Sequence, residues 1–102
     1  MSGPSYIYHI TTRNEWERAL AEGAYQALTQ AAEGFMHCST AEQVPGVLER
    51  YYAGKTGLVK LCIDPERLTS PLIYELASSV NQVFPHIYGP LNTDAVVEVI
   101  DI

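Results

Sequence analysis

The sequence has few cysteines and no long hydrophobic run. Only Cys38 and Cys62 are present among its 102 residues. Two cysteines without an export signal are typical of a reducing compartment, where a buried thiol acts as a small apolar side chain. The first ten residues contain neither a basic patch nor a long apolar stretch, so the sequence predicts no signal peptide and no membrane span. We therefore expect a cytoplasmic protein that needs no disulfide to fold.

Positive charge is also scarce. Six Lys and Arg residues oppose twelve Asp and Glu residues, which gives a formal net charge of -6. This charge would repel a nucleic-acid backbone unless the few cations were focused on one face, so a long nucleic acid is not an expected partner. A small phosphorylated ligand stays compatible with the sequence, because backbone amides and neutral histidines can bind phosphate locally.

The first part of the chain predicts a strand followed by a helix. Segment 5–10 is rich in aromatic and β-branched residues, which favour a strand. Thr11 or Thr12 can cap the helix that follows, since Glu15 stands three residues after Thr12 as in a capping box. Gly23 is placed to end this helix.

A second helix and further strands are predicted later in the chain. Ser39 or Thr40 is the expected cap of the helix, whose apolar positions begin at Val44, and Pro45 is compatible with its first turn. Apolar and β-branched residues predict strands at 58–63, 72–76 and 95–102. Segment 84–91 contains two prolines, each of which would remove a ladder donor, so we do not expect it in the middle of a sheet.

The order of these elements favours an α+β fold. Two helices come early and most strands come late, so the repeated strand–helix crossovers of a doubly wound sheet are missing. No repeat, low-complexity tract or linker divides the sequence. We expect residues 1–102 to form a single domain.

Three histidines, His9, His37 and His86, each stand in an apolar or aromatic setting beside the expected end of a strand or a turn. A single histidine of this kind is more often a hydrogen-bonded core residue than a functional one, but three in the same setting favour a shared site. Imidazoles that converge on one cavity suit ligand binding or proton transfer near neutral pH. We therefore predict that the three histidines line one pocket and act there as catalytic residues.

The spacing of these residues does not favour a metal site. The sequence has no His-x-x-x-His or Cys-x-x-Cys pair that would place two ligands on one element. His37 and Cys38 are consecutive in a short apolar run, and consecutive residues of a strand point to opposite faces. We predict no bound metal.

Glu75 is the best candidate for a catalytic carboxylate. It lies among apolar residues on an expected strand, where an ionised carboxylate needs a partner or a pocket. Ser39 and Thr40 either cap the second helix or bind a ligand oxygen beside His37. No Gly-x-Ser-x-Gly signature indicates a covalent nucleophile, and the Gly-Lys-Thr-Gly segment 54–57 lacks the length of a phosphate-binding P-loop and predicts a turn.

Further ligand-binding candidates flank the histidines. Thr11 and Thr12 follow His9 directly and carry hydroxyls. Aromatic residues on strands pack against the core by default, but Tyr74 and Tyr88 are candidates for stacking on a ring of the ligand.

Three ordered motifs carry a resemblance to a known family. They are Tyr8-His9-Ile10-Thr11-Thr12, Glu33-Gly34-Phe35-Met36-His37-Cys38-Ser39-Thr40 with Glu42-Gln43, and Phe84-Pro85-His86-Ile87-Tyr88-Gly89-Pro90-Leu91. Together they look like the family catalogued as domain of unknown function 952. The resemblance implies a fold similar to that of the ADP-ribosyltransferases and the RNA 2′-phosphotransferases, in which two small, mostly antiparallel sheets with two helices surround a nicotinamide-dinucleotide cleft.

The resemblance also implies roles for individual residues. In that wider group a histidine of the first core strand contacts the ribose, and His9 stands in the matching place. His37 belongs to the second motif and resembles the histidine-containing variants of the cleft. The late catalytic glutamate of the group has no clear counterpart, so Glu75 is a stand-in and His86 occupies the last motif.

Two main hypotheses of function follow. The first is a transferase-like enzyme that acts on an ADP-ribose, NAD or phosphorylated-nucleotide ligand, with NAD as a candidate substrate and no assured cofactor. The second is a noncatalytic module that binds a nucleotide or another small molecule, since no residue is an assured general base. A third is an interaction protein whose histidines only satisfy a core, and it predicts no pocket. The sequence indicates no oligomeric state.

Overall fold

The computed structural model describes residues 6–26 and 33–102. In chain order, the elements that it defines are β1 Ile7–Thr12, α1 Arg13–Glu22, β2 Ala24–Tyr25, β3 Met36–His37, α2 Val44–Tyr51, β4 Leu58–Ile63, β5 Leu72–Ala77, β6 Gln82–Ile87, β7 Leu91–Asn92 and β8 Val96–Asp101, with short 3₁₀ turns at Pro65–Arg67 and Thr93–Ala95. No helix within these two ranges has the length and apolar character needed to cross a membrane.

The strands form three antiparallel sheets in the described part of the chain. Their strand orders are β1-β4-β8, β3-β6-β5 and β2-β7. Within residues 6–26 and 33–102, the predicted α+β class, antiparallel pairing and two helices are confirmed. The sequence pattern does not predict the small sheet of β2 and β7, because two residues are too few for an alternating pattern to show. The likeness to the ADP-ribosyltransferase fold stays a prediction.

The main core is shared by all three sheets and α1. Strand β4 contributes the buried residues Val59, Leu61 and Ile63. They lie on one face, since alternate residues of a strand point the same way, and Trp16 of α1 belongs to the same cluster. On the other face of the β1-β4-β8 sheet, Ile10 and Leu58 pack with Val44 of α2. The sheet is therefore covered on both faces.

Strand β6 lies in the middle of its sheet although Pro85 stands at its centre, so the expectation for segment 84–91 is wrong. The Pro85 carbonyl accepts a hydrogen bond from the Cys38 amide at 3.0 Å, and the N–H that proline lacks would point to the same side, toward β3. Strand β3 ends at His37, so only one bond at the end of that ladder is lost. On its other side, Pro85 faces Tyr74 at a position that needs no donor.

The second helix begins later than the sequence predicts. Helix α2 starts at Val44 without any side-chain cap, so the prediction of a cap at Ser39 or Thr40 is wrong. A turn precedes the helix: the Gln43 amide donates to the Thr40 carbonyl, and the Thr40 amide donates to Gln43 Oε1, both at 3.0 Å. Pro45 lies in the first helical turn, as expected, where a missing N–H costs no hydrogen bond.

A short segment joins the two three-stranded sheets. We call residues 36–39, which include β3 and Ser39, the seam. On one side, β3 pairs with β6 so that His37 lies opposite His86. On the other side, Ser39 and Tyr8 of β1 exchange two backbone hydrogen bonds of 2.7 Å. The seam thus brings β6 and β1 to one place.

His9 reinforces the seam from β1. Its Nδ1 lies 2.6 Å from the His37 carbonyl oxygen, and since a carbonyl only accepts, Nδ1 carries the proton. Burial lowers the pKa of His9 to about 4, so the ring is neutral at pH 7 and Nε2 is an acceptor. Nε2 lies 3.1 Å from the Tyr25 hydroxyl, which donates to it, and the same hydroxyl lies 2.9 Å from Thr11 Oγ1. Both ring nitrogens of His9 are therefore bonded to protein groups.

Thr12 is expected to stabilise the protein as a helix cap. Its Oγ1 accepts a hydrogen bond from the Glu15 amide at 3.1 Å, which confirms the predicted cap. Thr12→Ala should lower the free energy of unfolding by about 1 kcal/mol, because this amide loses its partner, whereas Thr12→Ser keeps the hydroxyl and should cost less than about 0.5 kcal/mol. Urea unfolding measures both variants, and equal stabilities would contradict the cap.

The neutral state of His9 predicts a loss of stability in acid. An unfolded histidine has a pKa of 6.5, whereas folded His9 keeps a pKa of about 4, so unfolding takes up a proton between these values. The free energy of unfolding should therefore fall by roughly 2 kcal/mol between pH 7 and pH 5 because of this residue. His9→Gln, which does not titrate, should lack this part of the fall. Urea unfolding of both proteins at the two pH values measures the difference, and an identical pH dependence would show that His9 is not held neutral.

Candidate functional site

A cavity of about 710 Å³ lies against the seam. Its wall comes from β1, the seam with Glu33 and Phe35 before it, helix α2 with the residue after it, the end of β5 with the turn that follows, and β6. His9, His37 and His86 all line it. The volume falls within the roughly 300–1,000 Å³ of typical small-molecule pockets. The chain therefore has a concavity of the right size beside its three imidazoles.

His86 is the histidine most firmly oriented by a carboxylate. Its Nδ1 lies 2.7 Å from Glu75 Oε1, and the Tyr88 hydroxyl donates to the same oxygen at 2.6 Å. The hydrogen bonds from Tyr88 and from His86 lower the pKa of Glu75, so this carboxyl is ionised at neutral pH. An ionised carboxylate only accepts, and Nδ1 of His86 is therefore the protonated nitrogen. Within residues 6–26 and 33–102, no protein group bonds to Nε2 of His86, which stays available to a ligand.

His37 faces His86 across the pair of β3 and β6. The two ring centroids are 5.0 Å apart, and the ring planes are nearly perpendicular at 82°. Nε2 of His37 lies 2.8 Å from Glu33 Oε1. The His37 side chain is 52% exposed, whereas that of His86 is 8% exposed. One imidazole is thus open to solvent and the other is shielded.

Phe35 forms an aromatic cover over this pair. Its ring stacks on His86 with centroids 4.2 Å apart, and it lies 4.9 Å from His37 and 5.2 Å from Tyr88. Stacking on Phe35 restricts the His86 ring to one orientation. The arrangement therefore offers two fixed imidazoles, each with a carboxylate partner, which is a suitable arrangement for general acid–base chemistry.

Strand alternation explains which residues reach this pair. In the ladder of β5 and β6, Ile73 lies opposite His86 and Glu75 lies opposite Phe84, so these four side chains share one face of the sheet. Tyr74 pairs with Pro85 and points to the other face. It does not line the cavity. Of the two predicted ring-stacking tyrosines, only Tyr88 lies beside the His86 and Glu75 side chains, and neither Tyr88 nor Glu75 lines the cavity itself.

The four predicted ligand-binding residues with hydroxyl side chains also differ in whether they line the cavity. Ser39 lines the cavity and is buried in the seam. Thr11 is buried against the Tyr25 hydroxyl, and Thr12 caps α1. Thr40 lies in the turn before α2. None of the three threonines lines the cavity.

Several residues that line the cavity or contact its histidines were not predicted from the sequence. Glu33 and Phe35 lie four and two residues before His37, and the period of a strand would place Phe35 on the same face as His37. Tyr51 and Tyr52 line the cavity at the end of α2. Tyr25 reaches His9 from 16 residues away, and no local pattern indicates such a contact.

Metal and thiol chemistry find little support in the described residues. Across 6–26 and 33–102, no group of three or more His, Cys, Asp and Glu side chains is placed to bind a metal ion. Cys38 and Cys62 are buried free thiols, and burial raises the pKa of both. A thiol kept protonated is a poor nucleophile.

Comparisons with known proteins agree with the motif resemblance. The family model described as protein of unknown function (DUF952) matches residues 10–99. No curated protein matches the chain. The crystal structure of protein CC0527 from Caulobacter crescentus is similar, with a TM-score of 0.87 and 33% identity over 95% of this chain and 85% of that chain. The solution NMR structure of the same protein gives a TM-score of 0.82 and 33% identity over 95% of this chain and 84% of that chain.

The matched residues include the motifs of His37 and His86 and begin directly after His9. The family description assigns no activity, so the function has to be argued from the cavity. On this match, which spans most of the sequence, the chain belongs to the DUF952 family of proteins of unknown function.

Proposed function

We propose that the protein is a transferase-like enzyme that binds a small ligand of the ADP-ribose, NAD or phosphorylated-nucleotide class in the cavity, where His86 and His37 transfer a proton at the reacting group. One observation carries the proposal: the Glu75 carboxylate holds the His86 ring beside the His37 ring on the cavity wall.

His86 is the general base in this proposal. Its Nδ1–H donates to Glu75, which leaves the lone pair of Nε2 free to accept a proton from a ligand hydroxyl or from water. The negative charge of Glu75 stabilises the imidazolium that forms. Tyr88 holds the carboxylate in place through its hydroxyl.

His37 is the proton donor in this proposal. Its half-exposed ring lies beside the His86 ring, so both rings can reach the same reacting group from one side of the cavity. The resemblance implies a ribose contact for His9, but both nitrogens of that ring are bonded to protein groups. We therefore assign His9 to holding the seam and leave ligand contact to His37, His86 and Ser39.

The aromatic residues of the cavity wall suit a planar ring. Tyr8, Tyr51, Tyr52 and Phe84 line the cavity, and aromatic side chains stack on nucleobases and nicotinamide rings. Largely apolar walls with a few convergent polar groups are typical of small-molecule sites.

A noncatalytic binding module is the second candidate. The specific observation in its favour is the cover over His86, whose side chain is 8% exposed under the stacked Phe35 ring. If that cover stays closed, the ring can bind a ligand edge but has little room for a reacting group.

Variants of the two facing histidines separate these candidates. His37→Ala and His86→Asn should each lower turnover by about 100-fold, because general acid–base catalysis contributes at least this much. Asparagine keeps a donor for Glu75 while it removes the Nε2 acceptor. Nicotinamide release from NAD and calorimetric binding of ADP-ribose are the measurements.

Saturable binding without nicotinamide release in the wild type would favour the noncatalytic module. Failure of both ligands to bind would overturn the proposed ligand class. Thermal unfolding of each variant controls for folding.

Tyr88→Phe and Tyr74→Phe form a matched pair on the two faces of one sheet. Tyr88→Phe removes the hydroxyl that stabilises the Glu75 carboxylate, so the pKa of Glu75 should rise toward its ordinary value. Tyr74→Phe should leave that pKa unchanged, since Tyr74 points to the other face. Carboxyl-carbon NMR titration measures the shift. A pKa that moves equally in both variants, or in neither, contradicts the described site.

A further inference from the structure

Half of the cations in this acidic chain stand over tyrosines of the cavity wall. The cation of Arg50 lies 5.8 Å from the Tyr51 ring centroid, that of Lys55 lies 5.6 Å from Tyr52, and that of Lys60 lies 5.2 Å from Tyr8. These are three of six Lys and Arg residues, and all three tyrosines line the same cavity. We call these six residues the cation–tyrosine wall.

The cations of this wall come from three different parts of the chain. Arg50 comes from α2 and Lys60 from β4. Lys55 comes from the Gly-Lys-Thr-Gly turn, in which Gly54 and Gly57 have φ values of +80° and +70° that favour glycine. The Lys55 amide donates to the Tyr52 carbonyl at 3.0 Å, so this turn fixes the lysine beside the ring. Helix periodicity or strand alternation alone would not bring these cations together.

Within residues 6–26 and 33–102, none of the three cations of this wall forms a salt bridge. The carboxylates near the histidines are paired, Glu33 with His37 and Glu75 with His86 and Tyr88. Glu98 lies in the same row of the β1-β4-β8 sheet as Tyr8. The cations themselves do not line the cavity, but each lies 5.2–5.8 Å from the centroid of a ring that does, so an anion against such a ring is within the range of about 8 Å over which screening acts at physiological ionic strength.

We infer that the cation–tyrosine wall is a subsite for the phosphate group of the ligand, and that it places an aromatic phosphorylated molecule with its other end at His37 and His86. The orientation of the reacting end rests on the proposed function, whereas binding of the phosphate does not. Local cations of this kind also attract an anion toward a protein whose net charge of -6 would otherwise repel it.

The other three cations provide a matched control. Arg13, Arg18 and Arg67 form ion pairs with Asp101, Glu15 and Asp64, and within the described residues none of the three stands over a tyrosine ring of this cavity. A wall triple variant, with Arg50→Gln, Lys55→Gln and Lys60→Gln, changes the net charge by the same amount as a control triple variant with Arg13→Gln, Arg18→Gln and Arg67→Gln. Any difference between the two variants therefore reports position and not net charge.

Calorimetric titration with AMP and with adenosine, at low and at high ionic strength, tests the subsite. The wild type should bind AMP at least about tenfold more tightly than adenosine, and this preference should weaken with salt. The wall triple variant should lose the preference, while the control triple variant should keep it within about threefold. Thermal unfolding verifies that both variants are folded.

An equal loss of preference in the two triple variants would overturn the subsite, as would a wild type that binds AMP no better than adenosine or binds neither. The outcome is independent of turnover. If the wild type binds AMP more tightly than adenosine but shows no turnover of any ligand, the proposed reaction is contradicted and the phosphate subsite is not.

Discussion

The pairing of a two-residue strand with two different neighbours is the constraint on which the site depends. Strand β3 lies against β6, which sets His37 opposite His86, and Ser39 directly after it pairs with Tyr8 of β1. The seam supplies the backbone hydrogen bonds that join the sheet of His86 and Glu75 to β1, in addition to the core that the sheets share. The cavity and the facing imidazoles both follow from the same few backbone hydrogen bonds.

A neutral buried histidine stabilises that pairing. Burying a charged imidazole would be costly, so His9 stays uncharged and uses one nitrogen as a donor to His37 and the other as an acceptor from Tyr25. His9 therefore has a structural role, although its setting in the sequence resembles that of a catalytic residue. The acid–base chemistry is left to His37 and His86, which have carboxylate partners.

Local signals made part of the fold predictable. The strand at 58–63 and the cap at Thr12 were readable because apolar alternation and a hydroxyl three residues before a glutamate act over short distances. The position of Pro85 in a central strand could not be predicted, because it depends on which side of the strand lacks a donor and on where β3 ends. The start of α2 was missed because Ser39 is bonded to Tyr8, a partner distant in the sequence.

The candidate site, like the fold, was predictable from the sequence only in part. The settings of the three histidines predicted that they line one cavity, and the apolar neighbours of Glu75 predicted that its carboxylate has a partner. Tyr74 and Glu75 are consecutive on β5, so strand alternation already prevents both from reaching one face. The cation–tyrosine wall could not be foreseen, because its members come from β1, α2, a turn and β4 and meet only after folding.

Solution NMR of the imidazole rings tests the central claim most directly. The account predicts nuclear Overhauser contacts between the rings of His37 and His86, together with nitrogen shifts of a neutral His9 ring that is protonated at Nδ1 and unprotonated at Nε2. Absence of contacts between His37 and His86, or a His9 ring protonated at Nε2, would contradict the seam and with it the site.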